Sequence, residues 1–311
     1  METVTTALGG TLIAQAGFRQ RMGPVATVAL TVSATAPDLD GVLRLGDTAF
    51  YLSYHRGITH SFVGGAVLGL VLAAIFYRFS AYKHYWRLAG ICYLGILFHI
   101  VTDLCTSYGT KVFLPFTARR FAWDMLFIID IFVTGIVIAG VILAYRVQSR
   151  SIQIGRIALA ILGGYVLVAA ASHQMALVRL RDQIEREGLP ANTLAVFPRP
   201  FGPLRWSGVV ATGDATYQTF ISLLDGQDRP FRVYQPPPDS HVLQRAEQLD
   251  VVAVFRRFAR FPVVSVRQDT NGPVVEYFDL QFGQVEGRQP FLLEVAFDQN
   301  GKPRFAGFVR R

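Results

Sequence analysis

Histidine and aspartate recur in this sequence at spacings that suit a metal. Pro37-Asp38-Leu39-Asp40 brings two carboxylates close together, and His55-Arg56-Gly57-Ile58-Thr59-His60-Ser61 brings two imidazoles. His99-Ile100-Val101-Thr102-Asp103 sets an imidazole and a carboxylate four apart, on one face if the stretch is helical. Imidazoles and carboxylates in such numbers suit a borderline divalent cation, Zn²⁺ first, or Mn²⁺ if oxygens dominate. They exceed what one mononuclear site needs, so a pair of metals ~3.5–4 Å apart is feasible. The expected ligands are His55, His60, His99, Asp40 and Asp103. Asp38, Asp40 and Asp103 are the candidate proton acceptors wherever one is not a ligand. A lone His at a helix end is usually just an interfacial polar group, and His84, His173 and His241 are read that way.

Hydrophobic elements must position these groups. Of the 311 residues, 51% are hydrophobic and 17% charged. That excludes intrinsic disorder, and it is well below the roughly 25% charge of an average soluble domain. Met125 to Tyr145 is long enough to cross ~30 Å of hydrocarbon and carries one charge, Asp130. Asp130 is expected about six residues inside that span, pointing away from Asp124 and toward the bundle interior. Ile58 to Tyr77, Leu88 to Thr102 and Ile157 to Ala171 are further apolar runs, and Val4 to Phe18 and Val25 to Pro37 are shorter ones. Six membrane segments are therefore expected. Gly64, Gly65 and Gly69 allow close helix approach. Glu2 is the only charge before Arg19, so no cleaved signal peptide is expected. Cys92 and Cys105, on one helix about 20 Å apart, read as buried free thiols.

Composition changes near residue 178. Residues 1–178 read as the helical membrane domain with the His/Asp site, and residues 179–311 as a mainly antiparallel β (α+β) soluble domain. In the latter, Ser240 is a candidate N-cap for one helix of about 18 residues. Tyr217 to Leu223, Phe278 to Phe282 and Phe291 to Phe297 alternate as strands, and Asn300-Gly301 predicts a type I′ hairpin. Trp206, Phe201 and Phe231 read as core or interface aromatics, and this domain has no catalytic constellation of its own.

These stretches carry a family likeness. PDLD, HRGITHS and HIVTDLCTSYGT, followed by RRFAWDMLFIID, resemble the YdjM-like family of bacterial inner-membrane, metal-dependent hydrolases. The resemblance runs from the N-terminus through the last membrane segment and, with weaker motifs, into the C-terminal extension of longer members. It implies a metal and active-site set of Asp38, Asp40, His55, His60, His99 and Asp103, with Arg56 beside them. It further implies that Tyr108, Lys111, Arg120 and Asp124 contact substrate. One position departs: Thr6 stands where relatives carry the His of a Thr-His pair, which implies one ligand fewer.

The expected chemistry is hydrolysis at the membrane surface, of an amphiphilic or phosphorylated substrate such as a lipid or lipid-linked precursor. Arg56, Lys111, Arg119 and Arg120 are available to neutralise a phosphate or anionic leaving group, or to anchor lipid headgroups. Two other classes stay open: a transporter using the cluster as an ion site, and a non-catalytic membrane receptor or assembly factor.

The net charge of +8 decides orientation rather than a nucleic-acid partner. Three loops on one side hold Arg19, Arg21, Arg78, Lys83, Arg87, Arg146, Arg150 and Arg156 without an acid. On the other side Arg44, Arg56, Lys111, Arg119 and Arg120 are balanced by Asp38, Asp40, Asp47, Asp103 and Asp124. The positive-inside rule makes the first side cytoplasmic. The His/Asp site and the C-terminal domain of a multi-pass inner (plasma) membrane protein then face the periplasm or exterior. Alkaline phosphatase fused after Arg311 is expected to be active, and an active cytoplasmic reporter at that position would sink this topology.

Overall fold

A computed structural model describes residues 1–45, 48–282 and 291–309, with only the backbone at 43–45. Asp47 and the side chain of Arg44, both counted in the outer loops above, lie outside the described residues. By their contacts the residues form two compact units. One comprises Met1–Gly41, Arg56–Ser172 and Pro200–Pro203, and the other Val42–His55, His173–Arg199 and Leu204–Arg311.

The first unit is helical. Helix α1 (Thr3–Ile13) runs through a π-helical turn, Ala14–Phe18, into the short α2 (Arg19–Met22). Gly23, at φ +81°, then reverses the chain, and Pro24 opens α3 (Pro24–Thr35). A 3₁₀ stretch, Ala36–Leu45, follows, and then α4 (Thr48–Tyr54) of the second unit. The first unit resumes with α5 (Phe62–Phe79), α6 (Tyr85–Leu104) and α7 (Ile131–Arg146). It ends in the first part of α8 (Ser151–Glu187).

Helix α6 is the hub, packed on both α3 and α5. A Cβ at Gly95 of α6 would stand 2.9 Å from the Leu30 carbonyl oxygen of α3, and one at Gly10 of α1 only 2.4 Å from the same atom. Three backbones can meet there only because two positions lack a side chain.

Among the described residues, three helices are long and apolar enough to cross a membrane: Phe62–Phe79, Tyr85–Leu104 and Gln148–Glu187. Helix α7 has 16 residues, and α1 and α3 have 11 and 12. Taken alone, helices of 11 and 12 residues reach about 17–18 Å, but α1 is extended by the π-helical turn and α2 as far as Met22, with a kink at Gly17.

Three details of the helical reading change. His60 lies in a 3₁₀ turn, Ile58–His60, ahead of α5, because Ser61 caps that helix by accepting from Gly64 N at 2.9 Å. Asp130 is not inside a span. Its carboxylate caps α7, accepting from Phe132 N and Val133 N at 3.0 and 3.1 Å, and from the Tyr165 hydroxyl at 2.8 Å. The last apolar run continues as helix through Arg179 to Glu187.

In the second unit, β1 (Thr193–Pro198), β2 (Arg205–Ala211), β3 (Thr216–Ser222) and β4 (Arg232–Tyr234) form one antiparallel sheet in chain order. Trp206 is fully buried between this sheet and Leu180 and Ile184 of α8, while Phe231 packs edge-on against Tyr217. Of the core-or-interface reading, Phe201 loses the core half: in the Pro200–Pro203 stretch of the first unit, it sits in a left-handed turn at φ +69° and is 70% exposed.

Next come α9 (His241–Glu247) and α10 (Asp250–Phe258). The second sheet, again antiparallel in chain order, is β5 (Pro262–Asp269), β6 (Gly272–Asp279), β7 (Leu292–Phe297) and β8 (Pro303–Val309). Ser240 does cap α9, accepting from Leu243 N, but the expected single helix is two. At about 100° per residue, Leu243 and Val252 would face opposite sides of a straight helix, as would Ala246 and Phe255. The break at Gln248–Leu249 lets all four pack with Val275, Leu293 and Val295 of the sheet.

The alternation through Phe282 also stops early. Asp279 accepts backbone N–H groups from Arg260, Phe261 and Gln281 at 2.8, 3.1 and 3.0 Å, turning Leu280–Phe282 into a 3₁₀ turn. The hairpin after β7 is not type I′, since Gly301 alone has positive φ there. Asp298 instead holds a longer loop by accepting from Asn300 N and Lys302 N.

Buried Asp279 thus satisfies three backbone donors at once. Asp279→Ala leaves them without an acceptor, a cost on the order of 3–5 kcal/mol. We expect the thermal midpoint of the detergent-solubilised full chain to fall by at least ~5 °C, and by less for Asp279→Asn. An unchanged midpoint for the Ala variant would contradict this account.

Candidate metal centre

Three elements of the first unit meet at one buried point. The 3₁₀ stretch after α3 carries Asp38 and Asp40, the turn before α5 carries His60, and the last turns of α6 carry His99 and Asp103. The close seating of α3 on α6 sets the geometry. It puts the Ala34 carbonyl against His99, whose Nδ1 donates to it at 2.7 Å. A carbonyl only accepts, so Nδ1 carries a hydrogen, and Nε2 is the nitrogen that can present a lone pair to a metal when the ring is neutral.

His60 is oriented the same way. Its Nδ1 lies 3.0 Å from the Thr59 hydroxyl and 3.3 Å from Asp40 Oδ2. The Thr59 hydroxyl itself donates to Asp40 at 3.1 Å, so it can only accept from His60. Nδ1 carries a hydrogen here too, which turns Nε2 toward His99, Asp38 and Asp103.

The two Nε2 atoms stand 3.2 Å apart, too close for both to carry hydrogens aimed at each other. Asp38 Oδ1 lies 3.6 Å from His60 Nε2 and 3.5 Å from His99 Nε2. Asp103 Oδ2 lies 3.5 Å from each. Four donor atoms around a cation at 2.0–2.1 Å form a tetrahedron with edges of about 3.3–3.4 Å. These five separations match that figure to within a few tenths of an ångström.

His60, His99 and Asp103 are fully buried, and Asp103 Oδ2 has no hydrogen-bond donor. Only Asp38 keeps some exposure, 18% of its side chain. Imidazole and carboxylate lone pairs gathered at a buried point repel one another unless a proton or a metal cation sits among them. Asp38, His60 and His99 together could therefore hold a divalent metal, with Asp103 beside the two imidazoles.

The family description "YdjM inner membrane protein" matches residues 1–176, which include every residue of this cluster. The chain belongs to the YdjM inner membrane protein family. It is also 26% identical to the uncharacterized protein YfhP of Bacillus subtilis (strain 168), over 97% of this chain and 92% of that protein. No solved structure matches.

The YdjM-family stretch also contains the other candidate residues. Arg56 is buried, in the left-handed region at φ +56°, with its backbone N–H donating to Asp40 Oδ2 at 3.1 Å. Its guanidinium donates to Asp103 Oδ1 at 2.8 Å and to the Thr106 hydroxyl at 3.1 Å, and lies over the Tyr108 ring. The Met1 ammonium also contacts Asp103 Oδ1. Asp103 thus uses one oxygen on cations of the chain and turns the other to the imidazoles.

Arg120 stacks on the far loop's Tyr108 at 5.7 Å and donates to the Gly109 carbonyl. Lys111 joins Arg56 through its backbone at 3.2 Å, and burial together with neighbouring Arg120 pushes its amine below the usual range. Arg119 is exposed over Phe121. Asp124 is buried at φ +55° in the strand of chain tied to the end of α6 by Trp123 N–H on the Leu104 carbonyl. His55 ends α4 in the second unit, stacked on Tyr51 at 4.4 Å.

Sequence reasoning missed Ala34, Thr59 and Thr106. A backbone carbonyl leaves no mark in residue type. Thr59 had one, its place beside His60.

The Arg56–Asp103 pair is the cluster's charged support. Arg56→Ala strands a buried carboxylate and is expected to destabilise the chain by about 3–5 kcal/mol. In a double-mutant cycle by chemical denaturation, Arg56→Ala with Asp103→Ala should cost less than the sum of the single changes by more than ~1 kcal/mol. Simple additivity would show the pair to be uncoupled.

Proposed function

We propose that this YdjM-family protein is a membrane-bound, metal-dependent hydrolase. Its cation, Zn²⁺ from the mixed nitrogen and oxygen donors, is held by Asp38, His60, His99 and Asp103. The observation that carries this reading is the grouping of Asp38, His60 and His99 at ligand spacing, with Asp103 Oδ2 3.5 Å from both imidazoles. The set can extend to Asp40, another candidate ligand of the first unit. Thr6 supports a smaller complement than the family pattern implies, since its buried hydroxyl donates to the Thr3 carbonyl of its own helix.

The bound cation supplies Lewis acidity and makes water acidic enough to act as a nucleophile near neutral pH. The chain's residues supply the rest. Asp40 orients His60, the Ala34 carbonyl orients His99, and Arg56 fixes Asp103. Asp38, partly exposed, faces the entering substrate, and Asp40 is the carboxylate left to hold a proton. Arg119 and the exposed Phe116 and Trp123 favour an amphiphilic, phosphate-bearing substrate at the membrane surface. The charge of the connecting loops supports a site and a C-terminal unit that face away from the cytoplasm.

Metal analysis of the detergent-purified protein tests this. About one Zn²⁺ or Mn²⁺ per chain is expected, lost in His60→Ala and His99→Ala. Asp40→Asn should keep the metal but bind it roughly 10–100-fold more weakly. Screening phosphomonoesters and phosphodiesters then addresses the reaction. Folded wild-type protein that takes up no metal on titration would remove the basis of the proposal.

A further inference from the structure

A second site lies at the other end of α6. A cavity of about 620 Å³ opens there, away from the His/Asp cluster. Arg87, Gly90, Leu94 and Leu97 of α6 line one wall. Spaced three and four apart, they form one stripe of the helix, about 15 Å long. Phe18, Arg21 and Met22 line the other wall, from the turn joining α1 to α3. No acidic residue borders the cavity. Arg87 lies sixteen residues before Asp103, or about 24 Å along the axis.

The two ends of this groove differ in chemistry. Both arginines are exposed at its mouth, and its depth is leucine, phenylalanine and methionine. Its length is half of the ~30 Å hydrocarbon core, the depth that one leaflet's acyl chain fills. Gly90 keeps it open: a Cβ there meets nothing within 4 Å. This end of the first unit also carries Arg19, Arg78, Lys83, Arg146, Arg150 and Arg156, with no acid in the connecting loops.

We propose that this groove is a binding site for an anionic phospholipid. The phosphate lies between Arg21 and Arg87, and one acyl chain lies along Gly90, Leu94 and Leu97. Charge complementarity selects the headgroup, because basic pockets between membrane helices hold anionic lipid against a low-dielectric wall. The apolar stripe selects a lipid over a free anion. The site is independent of the metal cluster and of any reaction there.

Native mass spectrometry of the detergent-purified full chain tests it, with phosphatidylglycerol, phosphatidylcholine of the same chains, and inorganic phosphate as probes. Phosphatidylglycerol should be retained at least tenfold more strongly than phosphatidylcholine, and inorganic phosphate should not compete. Gly90→Leu fills the groove while favouring the helix, so it should abolish retention without lowering the thermal midpoint. Arg21→Ala with Arg87→Ala should reduce retention of phosphatidylglycerol to that of phosphatidylcholine. Equal retention of the two lipids, retention unaffected by Gly90→Leu, competition by phosphate alone, or a dimer that Gly90→Leu disrupts with no lipid bound would each overturn the proposal.

Discussion

Four lone-pair donors aimed at one dry point form the constraint around which the first unit is organised. Two imidazole nitrogens at 3.2 Å and two carboxylate oxygens within 3.6 Å of them repel unless a proton or a metal cation is among them. The chain commits hydrogen bonds to holding them there. Ala34 and Thr59 fix the tautomers of His99 and His60, and Arg56 occupies the other face of Asp103. Each support comes from a different element, so the cluster is a property of the bundle and of no single helix.

That convergence depends on how closely the helices pack. Gly10 and Gly95 let α1 and α6 reach the same carbonyl of α3, and the seat so formed delivers Ala34 to His99. Ser61 then ends the turn of His60 and begins a membrane-length helix in one step. Polar site and apolar span are therefore built at the same boundary. Near it, Arg56 takes a left-handed backbone conformation that non-glycine residues seldom adopt, and its side chain repays this with an ion pair and two further contacts.

The second unit follows different rules. Its sheets are antiparallel meanders whose corners are set by carboxylates binding backbone N–H groups, Asp279 after β6 and Asp298 after β7. Its two short helices break where a straight helix would turn Val252 and Phe255 away from the sheet.

Residue type and local periodicity determined much of this protein. Apolar runs marked α5, α6, α7 and α8, strand-like runs marked β3 and β7, and Ser240 marked a helix start. The i, i+4 spacing of His99 and Asp103 was enough to place both on one face of α6. Other features required the fold. A sequence does not tell a carboxylate inside a span from one that caps it, and Asp130 is a cap because two N–H groups and Tyr165 need its oxygens. Nor does it separate Asp38, aimed at both imidazoles, from Asp40 two residues on, which holds His60 from behind. That choice depends on where the 3₁₀ stretch after α3 leaves each side chain. Local spacing carries the types of the ligands, but distances between elements far apart in sequence are set only when the helices pack.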